Sequence, residues 1–156
     1  MKDFYSNSSH VLIVDRKTKK ILLTKRKDLK LWVMPGGHVE KKESFISAAN
    51  REVKEEIGID LNKLKLKLIL KSKSNNIQKR VYISNIDSVC LNLNLSDEVV
   101  DTKWFNLNKL PRRMSLYEKK RVRLTYCSQK VIAKKLNINF LGEIFNWVYN
   151  QLFHPN

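Results

Sequence analysis

Glycine and proline are scarce in this 156-residue chain, at four and three residues, and cysteine occurs only twice. So little glycine and proline excludes a collagen-like or low-complexity chain, and a hydrophobic content of 42% is enough to bury a core. Cys90 and Cys127 have neither the density of a disulfide scaffold nor the C-x-x-C spacing of a zinc or redox site. They are predicted to be buried thiols in a reducing compartment. No apolar run is longer than a strand, which excludes a membrane-spanning helix. Asp3 and the polar run at residues 6–9 interrupt the N-terminus where a secretion signal would be continuously apolar. The expectation is a soluble cytoplasmic protein without a membrane partner, forming one domain over residues 1–156.

Acids are the other scarcity, 15 Asp+Glu against 31 Lys+Arg, for a net charge of +16. The charge is uneven. Residues 109–135 hold ten bases and one acid, Glu118, whereas residues 40–60 hold six of the fifteen acids. An acidic cluster within a basic protein suits a polyanionic substrate that is drawn in by the general field and met at the acids by a metal cation.

Short aliphatic runs at residues 9–15 and 20–26, separated by a charged turn, read as a hairpin or adjacent strands. A third run, residues 31–34, ends at Pro35-Gly36-Gly37, where the chain is predicted to turn. From Ser44 the period becomes helical, with Ile46, Ala49, Val53 and Ile57 on one face and Gly58 placed as a left-handed cap. Alternation over residues 64–70 predicts a strand, Asn75-Asn76 a turn, and further strands are predicted near residues 80–84, 89–93 and 101–105. Ser115 with Glu118 makes a capping box opening a helix expected to run to about Lys135, and residues 141–153 read as a closing amphipathic helix. Strands interleaved with helices predict an α/β layered sandwich.

The chemistry is concentrated in residues 37–59. With Ile46 as the zero of a 100° wheel, Glu52, Glu55 and Glu56 fall near about 240°, 180° and 280°, on one flank beside the apolar face. Like charges at these spacings weaken a helix by a few tenths of a kcal/mol per pair, so the arrangement calls for a cation. Carboxylate oxygens are hard ligands, which points to magnesium or manganese bridging to substrate phosphates.

Gly37, Glu43, Arg51, Glu52, Val53, Glu55, Glu56, Gly58 and Ile59 have the spacing Gly, five residues, Glu, seven residues, Arg-Glu-aliphatic-any-Glu-Glu-any-Gly-aliphatic. This resembles the complete Nudix box. Seven identities at roughly one chance in twenty each make accidental agreement on the order of one in a billion per start site. The resemblance implies an α/β/α sandwich around a mixed sheet, and a magnesium- or manganese-dependent hydrolase attacking phosphorus with water. It implies Glu52 and Glu56 as principal metal ligands and Glu55 as a further ligand or the water-activating base. Arg51 would be an orienting partner, with Glu43 as its candidate counterpart, Gly37 would let the backbone approach the metal site, and Gly58 would close the helix. Glu98, just before a predicted strand, resembles the extra acid that many members bring from across the sheet. Glu43 also reads as a first-turn acid favoured by the helix dipole. His38 reads as a loop residue, and Trp32, Trp104 and Tyr82 as core.

The subclass marks do not transfer. Where ADP-ribose-type members carry Pro and dinucleoside-tetraphosphate members Tyr, this chain has Lys73, Ser74, Asn75 and Asn76, and Leu22-Leu23-Thr24-Lys25-Arg26 reproduces only the start of a coenzyme A signature. The expected partner is a nucleotide, a nucleoside triphosphate or another diphosphate-linked nucleoside. The net charge keeps a 5′-end RNA or another highly charged diphosphate as an alternative substrate, and a Nudix-fold module that binds a nucleotide or nucleic acid without turnover is a second.

Overall fold

Val11-Leu12-Ile13-Val14 has no polar face, the mark of a strand covered on both sides. The computed structural model, which describes residues 6–61, 65–74, 77–88, 91–128 and 130–134, puts it at the centre of an eight-stranded mixed sheet. In chain order the elements are β1 (Ser8–Asp15), β2 (Ile21–Arg26), β3 (Trp32–Val33), β4 (Gly36–His38), α1 (Phe45–Ile57), β5 (Lys67–Ser74), β6 (Ile77–Ile86), β7 (Val99–Phe105), a 3-10 turn, α2 (Leu116–Cys127) and β8 (Ile132–Lys134). The strands run β3-β2-β1-β6-β5-β8, with β4 also on β1 and β7 on β2. The β1–β6 and β5–β8 pairs are parallel and the others antiparallel.

Alternate residues of β1 serve two cores. Val11 and Ile13 pack with Leu22, Ala49, Val53 and Ile57 beneath α1, while Leu12 and Val14 pack with Leu23, Met34, Leu70 and Val122 beneath α2. Each such aliphatic side chain contributes about 1.5–3 kcal/mol of burial, so β1 is the element on which both helices are positioned. No described helix is long and apolar enough to cross a membrane. Trp32 and Tyr82 are buried and Trp104 packs against the α1-side core, which agrees with their reading as core residues.

Several expectations are corrected. The chain turns at Pro35 as predicted, but Gly36 and Gly37 are not left as loop, since Gly36–His38 pairs with Ser8–His10. Ile46 is 44% exposed, and α1 buries Ala48 and Glu56 in its place. Residues 91–93 form no strand. α2 ends at Cys127, well short of Lys135, because the β-branched pair Val131-Ile132 leads into β8, which pairs with β5.

The buried face of α2 is largely polar. Glu118, Arg121, Val122 and Thr125 turn inward, Leu116 is 69% exposed, and Cys127 is an exposed thiol rather than a buried one. These four inward residues lie within about 100° on the wheel. An acid and a base three residues apart can enter the interior together because each offsets the other's charge. Cys90, the turn at Asn75-Asn76 and the closing helix at residues 141–153 lie outside the described residues.

Candidate active site

α1 starts and stops where its sequence directs. The Ser44 hydroxyl accepts the Ser47 N–H at 3.1 Å, and Gly58, at φ 76°, donates its N–H to the Lys54 carbonyl at 3.0 Å. Beyond Gly58, the N–H groups of Asn94 and Ser96 donate to the carbonyls of Ile57 and Glu56 at 3.1 and 3.0 Å. That return segment satisfies the end of the helix and brings the turn at Asp97-Glu98 alongside it.

Arg51 organises the acids. Its Nε and Nη2 donate to the two oxygens of Glu43, each at 3.0 Å, and Nη2 also reaches the His38 carbonyl at 2.9 Å. Nη1 donates to both Glu52 and Glu55 at 3.0 Å. One planar guanidinium thus fixes the loop before α1 and two acids on α1, a geometry that the rigid fork of arginine permits and lysine does not. The bond from Arg51 holds Glu43 below the usual carboxylate range, and the acids in turn raise the Arg51 pKa. Glu43 is therefore the counterpart of Arg51.

The three flank carboxylates are not equivalent. Glu55 is 60% exposed at its side chain and points outward with Arg51. Glu52 is held against the backbone, so that a Cβ on Gly37 would lie 2.5 Å from its Oε2. Burial raises the Glu52 pKa in spite of Arg51. Glu56 is buried, and its Oε2 accepts the Gly36 N–H at 2.9 Å. Burial, supplemented by the charges of Glu52 and Glu98, pushes Glu56 up to about 8 against the relief given by that N–H and by Arg26. Glu98 is itself exposed, with its carbonyl accepting the Lys27 N–H at 2.8 Å. It lies near enough for its charge to act on Glu56.

Gly36 is the residue the sequence reading passed over. Only Gly37 belongs to the box, yet Gly36 supplies the donor to Glu56. Its signal was the doubled glycine itself, since a second glycine beside one reserved for close approach indicates a second backbone constraint. His38 bonds through Nδ1 to the Ser6 hydroxyl at 2.6 Å, and its backbone carbonyl serves Arg51.

Among the described residues no three Asp, Glu, His or Cys side chains converge into a ready-made metal cage. The donor set nevertheless fits a hard divalent cation. Glu52 and Glu56 are one helical turn apart, both desolvated, and both raised in pKa, a pair of oxygen donors short of positive charge.

A family model described as the NUDIX domain matches residues 5–125. A Bacillus subtilis protein provisionally named an 8-oxo-dGTP diphosphatase is 44% identical over 54 residues, 35% of this chain and 36% of that protein. An ADP-ribose pyrophosphatase of Methanocaldococcus jannaschii is 34% identical over 109 residues, 66% of this chain and 64% of that protein. The chain thus matches just over a third of the first relative and under two thirds of the second. Among solved structures, an ADP-ribose pyrophosphatase from Streptococcus suis superimposes with a TM-score of 0.63 at 20% identity, covering 84% of this chain and 100% of the other. At that identity the likeness is one of fold.

Proposed function

The chain belongs to the Nudix family, and from that premise we propose that it is a divalent-metal-dependent pyrophosphohydrolase acting on a nucleoside triphosphate or another nucleoside-diphosphate-linked substrate. The observation that carries this reading is the pair Glu52 and Glu56, desolvated together against the backbone of Gly37 and Gly36. Two carboxylates kept from water beside each other have a cost that a cation removes. Glu52 and Glu56, with Glu55 at the rim, are the residues that would hold magnesium or manganese. When bound, such a cation neutralises adjoining phosphates and acidifies water.

The chain's own groups do the remainder. Arg51 holds Glu52 and Glu55 in one orientation by sharing its Nη1 between them. The Gly36 N–H holds Oε2 of Glu56 in place. Glu55, the most exposed acid of the three, would serve as a further ligand or take the proton of an attacking water, and the charge of Glu98 acts on Glu56. With its carboxyl pushed up to about 8 by burial, Glu56 would bind a cation in competition with a proton.

The relatives support the reaction class by their names, one a diphosphatase and the other a pyrophosphatase. The test is a turnover screen with magnesium over nucleoside triphosphates, ADP-ribose, dinucleotides, nucleotide sugars and 5′-triphosphorylated RNA, with products identified by chromatography. Cleavage of a phosphoanhydride that stops on chelation is expected. Nucleotide binding without turnover of any of them would replace the enzyme reading with that of a binding module.

A further inference from the structure

The turn carrying Gly36 is gripped from the opposite face of the sheet. On α2, Arg121 Nη1 donates to Glu118 Oε2 at 2.8 Å, a pair almost wholly buried. The second bond of each partner leaves the helix. Glu118 Oε1 accepts the Met34 backbone N–H at 3.2 Å, and Arg121 Nη2 reaches His10 Nδ1 at 3.2 Å. Burial, together with the charges of Arg121 and Lys79, keeps the His10 pKa well below the ordinary imidazole value. The neutral ring therefore accepts through Nδ1 and carries its proton on Nε2.

These two contacts bracket one glycine. Met34 lies two residues before Gly36, and His10 is the Cα partner of Gly36 across β1 and β4. Between them, the Pro35 carbonyl accepts the Val11 N–H at 2.9 Å. Gly36 has φ +132°, and a Cβ there would collide with the Ser9 carbonyl and lie 2.6 Å from the His10 Cα. With its neighbours fixed, the direction of the Gly36 N–H is fixed as well, and it is aimed at Glu56.

We propose that Glu118 and Arg121 are positioning residues which, through Met34 and His10, hold the Gly36 N–H on Glu56. The proposal rests on the reading of Glu56 as a site carboxylate. A buried ion pair adds little net stability, because desolvation offsets its attraction, and a well-packed apolar pair can replace it. The role of this pair is in what its remaining bonds hold.

The double variant Glu118→Leu with Arg121→Met removes both charges together, so the fold is expected to survive. Amide hydrogen exchange by NMR should show the Gly36 N–H exchanging at least about tenfold faster, with Leu12 and Leu22 unchanged. With a substrate identified in the screen, kcat should fall about tenfold at constant KM. Glu118→Gln with Arg121→Met, which keeps an oxygen for the Met34 N–H and leaves no unpaired buried charge, should recover part of both. Unchanged exchange at Gly36 in the folded double variant, or an increase shared by the whole sheet, overturns the proposal. If the double variant does not fold, Arg121→Lys takes the same measurements with the same two readings, since lysine offers one nitrogen where Arg121 sets two, Nη1 on Glu118 and Nη2 on His10. Absence of turnover in the wild-type chain would remove the enzyme reading alone, and exchange at Gly36 would still decide the positioning.

Discussion

Replacing Glu56 with Gln is expected to stabilise the metal-free protein while abolishing its turnover. Burial and the neighbouring acids push Glu56 from 4.5 up to about 8. A carboxyl whose pKa is higher in the folded than in the unfolded chain binds more protons when folded across that interval. Its contribution therefore favours folding below about 4.5 and is lost as pH rises through about 8. At 1.36 kcal/mol per unit, 8 − 4.5 = 3.5 units corresponds to about 5 kcal/mol above pH 8 and about 3 kcal/mol at pH 7. Glutamine has the same shape, has no charge to desolvate, and still offers an oxygen to the Gly36 N–H.

Urea unfolding in the presence of a chelator at pH 5, 7 and 8.5 measures this directly, and other titrating groups cancel in the difference between the two proteins. The curves should agree within about 1 kcal/mol at pH 5 and then separate in favour of the variant. With magnesium, turnover of the variant should fall at least about a hundredfold, because the amide lacks the charge that a hard cation needs. Equal stability at all three pH values, or a variant advantage that shrinks as pH rises, would refute the account of Glu56 as a carboxylate strained by burial.

The two glycines should fail differently. Gly36→Ala meets backbone on both sides at positive φ and should cost at least about 2 kcal/mol in chemical denaturation, whereas Gly37→Ala meets only the mobile end of Glu52 and should lower turnover at nearly unchanged stability. A Gly37→Ala protein with normal turnover would show that Glu52 has room to spare. Glu98→Gln should lower kcat without changing nucleotide affinity, and an unchanged kcat would place Glu98 outside the reaction. Salt dependence distinguishes a small nucleotide from an RNA strand: Arg112, Arg113, Lys119, Lys120 and Arg123 are at least partly exposed, and five phosphate contacts would add about 3.5 to the log–log slope. The slope for 5′-triphosphorylated RNA is expected to match that for a mononucleotide, and a steeper one, reduced by Arg112→Gln with Arg113→Gln, would favour the RNA-end reading.

What was legible in the sequence was whatever rests on local rules. Ser44 and Gly58 bound α1 because capping depends on a few adjacent atoms, and Arg51 meets Glu55, as Glu52 lies beside Glu56, because four residues make about one helical turn. What escaped was set by partners distant in the chain. The wheel put Ile46 in the core, yet the position facing the sheet is held by Glu56, whose burial depends on a Gly36 N–H twenty residues away. Likewise Cys127 was predicted to be a buried thiol and is exposed, while Glu118 turns inward to a Met34 N–H 84 residues distant.

In the capping box only one half is formed. The Ser115 hydroxyl accepts the Glu118 N–H at 3.1 Å, as the motif predicts, but the Glu118 carboxylate is committed to Met34 and Arg121. The helix start survives this, because the serine hydroxyl still satisfies one donor of its first turn. The freed carboxylate then ties α2 to the turn at Gly36, beside the contact of Arg121 with His10. A sequence rule assigned Glu118 a local duty worth a fraction of a kcal/mol, and the tertiary structure gave its charge to a contact that reaches the candidate site.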